Sequence, residues 1–146
     1  MLGNHTKSLD DKKRVIIPSK FREKLGSPFY ISLGPDNMCE LRDAKTFKLW
    51  KDKLLANNML NRNARNFVRI LLGNTYECTF DDMGRTILPQ NLLQMASITT
   101  EITFVGVGNK IELCNPATYK QFLSVNIGGK SLEEMAKKLL KDGAIY

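Results

Sequence analysis

The sequence holds little of what enzyme and secreted-protein chemistries need. Its 146 residues include one histidine, His5, one tryptophan, Trp50, and three cysteines. Cys39, Cys78 and Cys114 are spaced 39 and 36 residues apart without a CxxC pair. Such a scattered, odd set predicts reduced, buried thiols and excludes a disulfide framework or a zinc site. No HExxH, phosphate-binding glycine loop or Ser/His/Asp set occurs, and adjacent aspartates on a turn point apart. GVG at 106–108 falls in a hairpin pattern and lacks the third glycine of a dinucleotide fingerprint. We therefore expect no catalytic residue, cofactor, metal or small-molecule substrate. The longest apolar runs, VII at 15–17 and ILL at 70–72, are far too short to cross a bilayer. MLGNHTKSLDDKKR at the start has no apolar signal core, which predicts a cytoplasmic chain with no membrane partner.

Acidic residues are also scarce. There are 15 Asp and Glu against 22 Lys and Arg, a net charge of +7, while a hydrophobic content of 42% suffices for a packed core. The excess is uneven: residues 1–25 carry seven bases against three acids, and 45–70 seven against Asp52 alone, whereas 77–95 carry one base and three acids. A basic surface of this kind attracts polyanions, nucleic acid first and anionic membrane second. A solvated surface without such a partner has the same composition.

What the sequence does contain is a stretch that occurs twice. LDDKKRVIIP at 9–18 returns as FDDMGRTILP at 80–89, at a fixed offset of 71 that pairs Asp10 with Asp81, Asp11 with Asp82, Arg14 with Arg85, Ile16 with Ile87 and Pro18 with Pro89. The offset becomes 72 further on, where Glu40-Leu41 matches Glu112-Leu113 and Thr46-Phe47-Lys48 matches Thr118-Tyr119-Lys120. Each copy reads as strand, aspartate turn, short strand, short helix, hairpin and helix. First strands are predicted at 3–9 and 74–80, short helices at 19–25 and 90–96, and hairpins turning at GPDN and at Gly108-Asn109. Asp43 and Asn115 stand where helix caps belong, the latter followed by Pro116 at the first helical position. A basic helix at 62–72, with Phe67, Ile70 and Leu71 on one face, joins the copies. A loop SVNIGGK leads to a last helix at 131–141, with Ser131 and Glu134 as a capping box. The predicted organisation is repeat 1 at 1–57, a connecting helix at 58–72, repeat 2 at 73–124, and a tail at 125–146. A unit of about 50 residues is marginal alone. Two copies that interleave their hairpins would share one barrel with pseudo-twofold symmetry.

LDDKKRVIIPSKFREKLG and FDDMGRTILPQNLLQMA resemble the two motifs of MraZ proteins, tandem members of the AbrB-like swapped-hairpin superfamily. ARNFVRILLGN at 64–74 and Gly3 also match that pattern. The resemblance covers essentially the whole chain, the last helix least. It implies an α+β fold with a mainly β core, a swapped-hairpin (double-ψ) AbrB-like barrel of two tandem repeats with flanking helices. It further implies a sequence-specific, DNA-binding transcriptional regulator associated with the nucleoid. Such a protein binds direct repeats in the promoter of the cell division and cell wall operon as a ring-shaped homo-oligomer. The DNA-contacting residues it implies are Asp11 and Arg14 in copy one, and Asp82 and Arg85 in copy two.

The residues themselves leave alternatives. Arg14 and Arg85 either contact phosphate or guanine, for which the planar guanidinium fork is suited, or pair with Asp11 and Asp82 to lock a turn. Arg14 is expected on DNA more than Arg85, which has acidic neighbours. Lys12, Lys13, Lys20 and Arg22 read as phosphate contacts or as a solvated basic face. Copy one has Lys13 where copy two has Gly84. Either a left-handed lysine costs roughly 1 kcal/mol or slightly more, or copy one makes a different turn that frees Lys13 for phosphate; the second is expected. Phe21, Phe29, Phe47, Trp50 and Phe67 are expected in the core. An oligomeric interaction protein with a protein or RNA partner is the alternative function. An antitoxin of a toxin pair fits the duplication less well.

Overall fold

The computed structural model describes residues 1–127 and 132–144. It divides into two compact units, 1–115 and 116–146. The first holds β1 (Leu2–Ser8), β2 (Arg14–Ile16), α1 (Ser19–Leu25), β3 (Phe29–Leu33), β4 (Cys39–Asp43), α2 (Ala44–Leu55), α3 (Arg62–Gly73), β5 (Tyr76–Cys78), β6 (Arg85–Ile87), α4 (Gln90–Met95), β7 (Glu101–Val107) and β8 (Ile111–Cys114). The second holds α5 (Pro116–Ile127) and α6 (Leu132–Lys141).

The strands are antiparallel, and the copies exchange them. One sheet runs β1-β7-β8-β4-β3-β5, and β2 pairs with β6 in a separate ribbon. β1 of the first copy lies on β7 of the second, and β5 of the second on β3 of the first. Two of the ladders between the copies set a residue against its own counterpart: Val15 against Thr86 in the ribbon, and Glu40 against Glu112 between β4 and β8. The exchange and pseudo-twofold match the sequence pattern. The closed barrel does not: the six-strand order ends at β1 and β5, and β2-β6 stands apart.

The interior is built from both copies. Val15, Ile17, Phe21, Phe29, Ile31 and Leu41 pack with Leu88, Leu92, Ile102, Phe104, Ile111 and Leu113. Strand alternation explains the ribbon's share: Val15, Ile17, Thr86 and Leu88 are buried while Ile16 and Ile87 face out. Pro18 and Pro89 follow β2 and β6 and start α1 and α4, since a residue without an N–H ends a ladder but suits a helix entry. Cys39, Cys78 and Cys114 are buried thiols. Burial, with a nearby carboxylate, pushes the Cys39 and Cys78 thiols up to about 12, leaving them unreactive near neutral pH.

The β4 strand CELRD is buried on both faces, which places a charged group inside. The Glu40 carboxylate accepts from Arg42 Nη2 at 2.9 Å and from Lys110 Nζ. Arg42 also donates to Ser32 Oγ at 3.2 Å, and its guanidinium lies 4.3 Å from the Trp50 ring centroid. Gly34 is glycine for space, because a Cβ there would sit 2.7 Å from Glu40 Cγ.

Several expectations are corrected. Asp43 does cap α2, accepting from Thr46 N at 2.7 Å, and Phe47 stacks on Tyr30 at 4.0 Å. Phe67 is not a core residue: α3 turns Val68 inward, and Phe67 and Ile70 are 57% and 55% exposed. Ser124–Ile127 continue α5, where a loop was predicted, because nothing in SVNI breaks a helix before Gly128. Ser131 of the predicted capping box lies outside the described residues. His5 sits in β1 opposite Phe104, edge-on to Phe21 with ring centroids 5.5 Å apart.

Candidate nucleic-acid interface

The turn leading into each short strand is organised by the first aspartate of its pair. Asp10 Oδ1 accepts from Lys12 N at 2.9 Å and Arg14 N at 2.8 Å, and Oδ2 accepts from Arg14 Nε at 2.6 Å. Asp81 repeats this with Met83 N at 2.9 Å, Arg85 N at 2.9 Å and Arg85 Nε at 2.8 Å. An intramolecular pair does lock each turn, but with Asp10 and Asp81, one residue before the Asp11 and Asp82 of that alternative. Asp11 and Asp82 are exposed and make no side-chain hydrogen bond among the described residues. An aspartate that reaches backbone N–H groups two and four residues on must precede the turn. The second of the pair is already at the bend.

The backbone N–H of Arg14 holds the Asp10 carboxyl below the ordinary value of 3.8, against a smaller opposing effect of burial and helped by the Arg14 side chain. The same holds for Asp81 with Arg85. A carboxyl depressed in the fold adds stability that is present above its unfolded value and lost as pH falls through the depressed one. We expect the carboxyl carbons of Asp10 and Asp81 to titrate below 3.8 in an NMR series. A midpoint at or above that value would show that the turn is not clamped this way.

Both turns share their backbone as well. Lys13 has φ +62° and Gly84 φ +76°, both left-handed. Copy one thus makes the same turn as copy two and keeps a lysine in it under strain of about 1 kcal/mol, contrary to the expectation of a different turn. Gly84 has a second reason to be glycine: a Cβ there would lie 2.8 Å from Arg22 Nη1. Arg22 donates from that nitrogen to the Ile17 carbonyl at 2.8 Å. It is half-buried, with that nitrogen spent on the Ile17 carbonyl beside the second copy's turn. Its counterpart Leu93 is a core residue.

The β2-β6 register brings the two motifs onto one surface. Arg14 faces Ile87 and Ile16 faces Arg85, so four outward side chains form a two-by-two grid with an arginine at each diagonal corner. Each arginine spends Nε on its aspartate, and its terminal nitrogens bond to nothing else among the described residues. Lys12 is exposed and Lys13 half-buried on the adjoining turn. Lys20 lies elsewhere, lining a hollow with Met1, Leu2, Glu23 and Lys24. A hollow of about 380 Å³ adjoins the grid, with Arg14, Arg85, Glu77 and Asp81 in its lining. The grid can place two planar, charged donors against one flat, polar partner. The pairing of outward Ile16 and Ile87 with the arginines escaped the sequence reading, though period-two alternation through RVI and RTI was its signal.

Among the described residues no helix is long and apolar enough to cross a membrane, and no group of three or more His, Cys, Asp or Glu could hold a metal ion.

Comparison with known proteins gives a consistent result. The family profile described as "MraZ protein, putative antitoxin-like" matches residues 1–70 and again 71–142. A protein of Mycoplasmopsis pulmonis named transcriptional regulator MraZ is 38% identical over 146 residues, 100% of this chain and 99% of its own. One of the same name from Mycoplasma mobile is 37% identical over 145 residues, 99% of both chains. Another from Clostridium tetani is 33% identical over 138 residues, 94% of this chain and 97% of its own.

Proposed function

Since the chain belongs to the MraZ family, we propose that it is a transcriptional regulator that binds double-stranded DNA sequence-specifically through the outer face of the β2-β6 ribbon. The observation that carries this is the grid: Arg14 and Arg85, from different copies, stand on one exposed face with terminal nitrogens unspent. A two-stranded ribbon fits the major groove, and a guanidinium held at Nε presents its outer edge to guanine O6 and N7. Lys12 and Lys13 supply phosphate contacts, which position the protein without reading sequence. In this reading 1–57 and 73–124 are the two halves of one reading unit, 58–72 their connection and 125–146 a tail outside it. A nucleoid location in the cytoplasm, direct repeats in the promoter of the cell division and cell wall operon, and a ring of copies rest on the family resemblance. A ring would suit the geometry. One grid spans only a few base pairs, and several identical grids on spaced repeats raise the effective concentration of each.

The test is binding of the full chain to a fragment from upstream of its own gene, against a scrambled duplex, over a range of salt. We expect preference for the native fragment, and log affinity falling linearly with log salt as counterions are released. Equal binding to both duplexes would overturn sequence specificity, and a flat salt response would overturn the phosphate contacts. The alternative of a protein or RNA partner is consistent with the exchange of glycine for Lys13 in copy one, a residue that keeps the left-handed backbone of Gly84.

A further inference from the structure

Two large apolar side chains stand in the middle of the arginine face. Ile16 is 45% exposed and Ile87 64% exposed, although their strand neighbours Val15, Ile17, Thr86 and Leu88 are buried. A single exposed isoleucine needs no explanation. These two occupy equivalent positions of the repeat, lie diagonal to one another, and each faces an arginine across the ribbon.

We propose that Ile16 and Ile87 read thymine methyl groups in the major groove. The proposal rests on the ribbon being the DNA face. Four base edges line that groove, and the thymine C5-methyl is the apolar group among their donors and acceptors. An isoleucine laid on guanine, adenine or cytosine would cover polar groups and return no hydrogen bond, which is unfavourable. Laid on thymine, it buries a methyl. Isoleucine is suited to this, because branching at Cβ leaves χ1 stiff and holds its methyls in place.

The spacing agrees. Arg14 and Ile16 are two residues apart on one strand, as are Arg85 and Ile87. Two residues of strand span about 7 Å, and two base-pair steps, at roughly 3.4 Å each, span the same distance. An arginine set on a guanine thus carries its strand neighbour to an edge about two base pairs away. The pseudo-twofold reverses this order on the other strand, so the arginines supply polar readout at opposite corners of the grid and the isoleucines supply apolar readout at the remaining two.

Duplexes enriched from a random pool by the full chain provide the probe. Each thymine is then replaced singly by deoxyuridine, which removes the methyl and leaves every hydrogen bond. We expect one or two positions close to an enriched guanine to lose affinity, by about fourfold for each methyl fully covered. At those positions Ile16→Ala or Ile87→Ala should bind the thymine and uracil duplexes equally, while sedimenting as the unaltered protein does. The absence of any uracil-sensitive position would overturn the proposal and leave the arginine reading intact. So would isoleucine variants that keep full methyl sensitivity, or variants whose sedimentation changes while sensitivity persists, since the side chains would then pack copies together. A pool in which no duplex is enriched would remove the DNA reading itself, and this inference with it.

Discussion

Replacing Glu40 with alanine is expected to destabilise the fold by about 3–5 kcal/mol, the range for removing one partner of a buried ion pair. The Glu40 and Arg42 side chains are only 4% and 7% exposed. Without the carboxylate, the Arg42 guanidinium keeps Ser32 Oγ and the Trp50 ring but no negative partner, and Lys110 loses its acceptor as well. A buried guanidinium cannot give up its proton, so the desolvation penalty stays. Small domains hold only about 5–15 kcal/mol in total, so the variant should melt well below the parent. Urea unfolding of the two proteins measures the difference. A loss under about 1 kcal/mol, the scale of an exposed pair, would show that water reaches this cluster and that the pair is not buried in solution. Glu112, set directly against Glu40 in the ladder, sharpens the case. Burial raises its carboxyl above the ordinary value, Lys110 lowers it, and Glu40 raises it further. One carboxylate of the crossing is thus neutralised by two bases, while the other is less well placed to ionise.

Arg14→Ala is expected to abolish specific DNA binding without altering the fold. A bidentate guanine contact contributes roughly 1–3 kcal/mol at one face, and an assembly that engages several faces loses that amount at each. The turn should survive, because Asp10 still accepts from the backbone N–H of residues 12 and 14 whatever the side chain at 14. Circular dichroism and sedimentation should therefore match the parent while fluorescence anisotropy on the upstream fragment shows no specific complex. Retained affinity within a factor of about two would remove Arg14 from the interface, since even the weakest expected contact exceeds that. Arg85→Ala should have a smaller effect. Its clamp and outward direction match those of Arg14, but its turn presents Met83 and Gly84 where copy one presents Lys12 and Lys13. The difference between the halves lies in charge, not in shape.

The duplication was legible because fixed offsets need no knowledge of packing, and they carried the element order, the hairpins and the strand exchange. Asp43, Phe21 and Phe29 were legible for local reasons, as cap and core periodicity. What could not be read depended on neighbours distant in sequence. Phe67 repeats with a core period, yet α3 presents Val68 to the sheet and leaves Phe67 outside. Glu40 and Arg42 look like the solvated face of a hairpin until both faces of β4 prove covered. Nor does the sequence show that Arg22 lies against Gly84, 62 residues later in the chain. At the interface, the arginines were readable from the repeat. Their aspartate partners were misplaced by one residue, because an adjacent pair of like residues does not show which of them begins the turn.

The exchange of strands also bears on how the chain is made. β1, at residues 2–8, has no ladder partner until β7, at 101–107, has been synthesised. At ribosomal speeds of about 5–20 residues per second, that interval is on the order of 5–20 s. For its duration the nascent first copy holds an unpaired strand, and its sequence, LGNHTKS, is mostly polar. The apolar partner strand, EITFVGV, is made late, when β1 is already waiting for it. For this pair, the order of the strands along the messenger keeps the stickier one out of solution until it has somewhere to go.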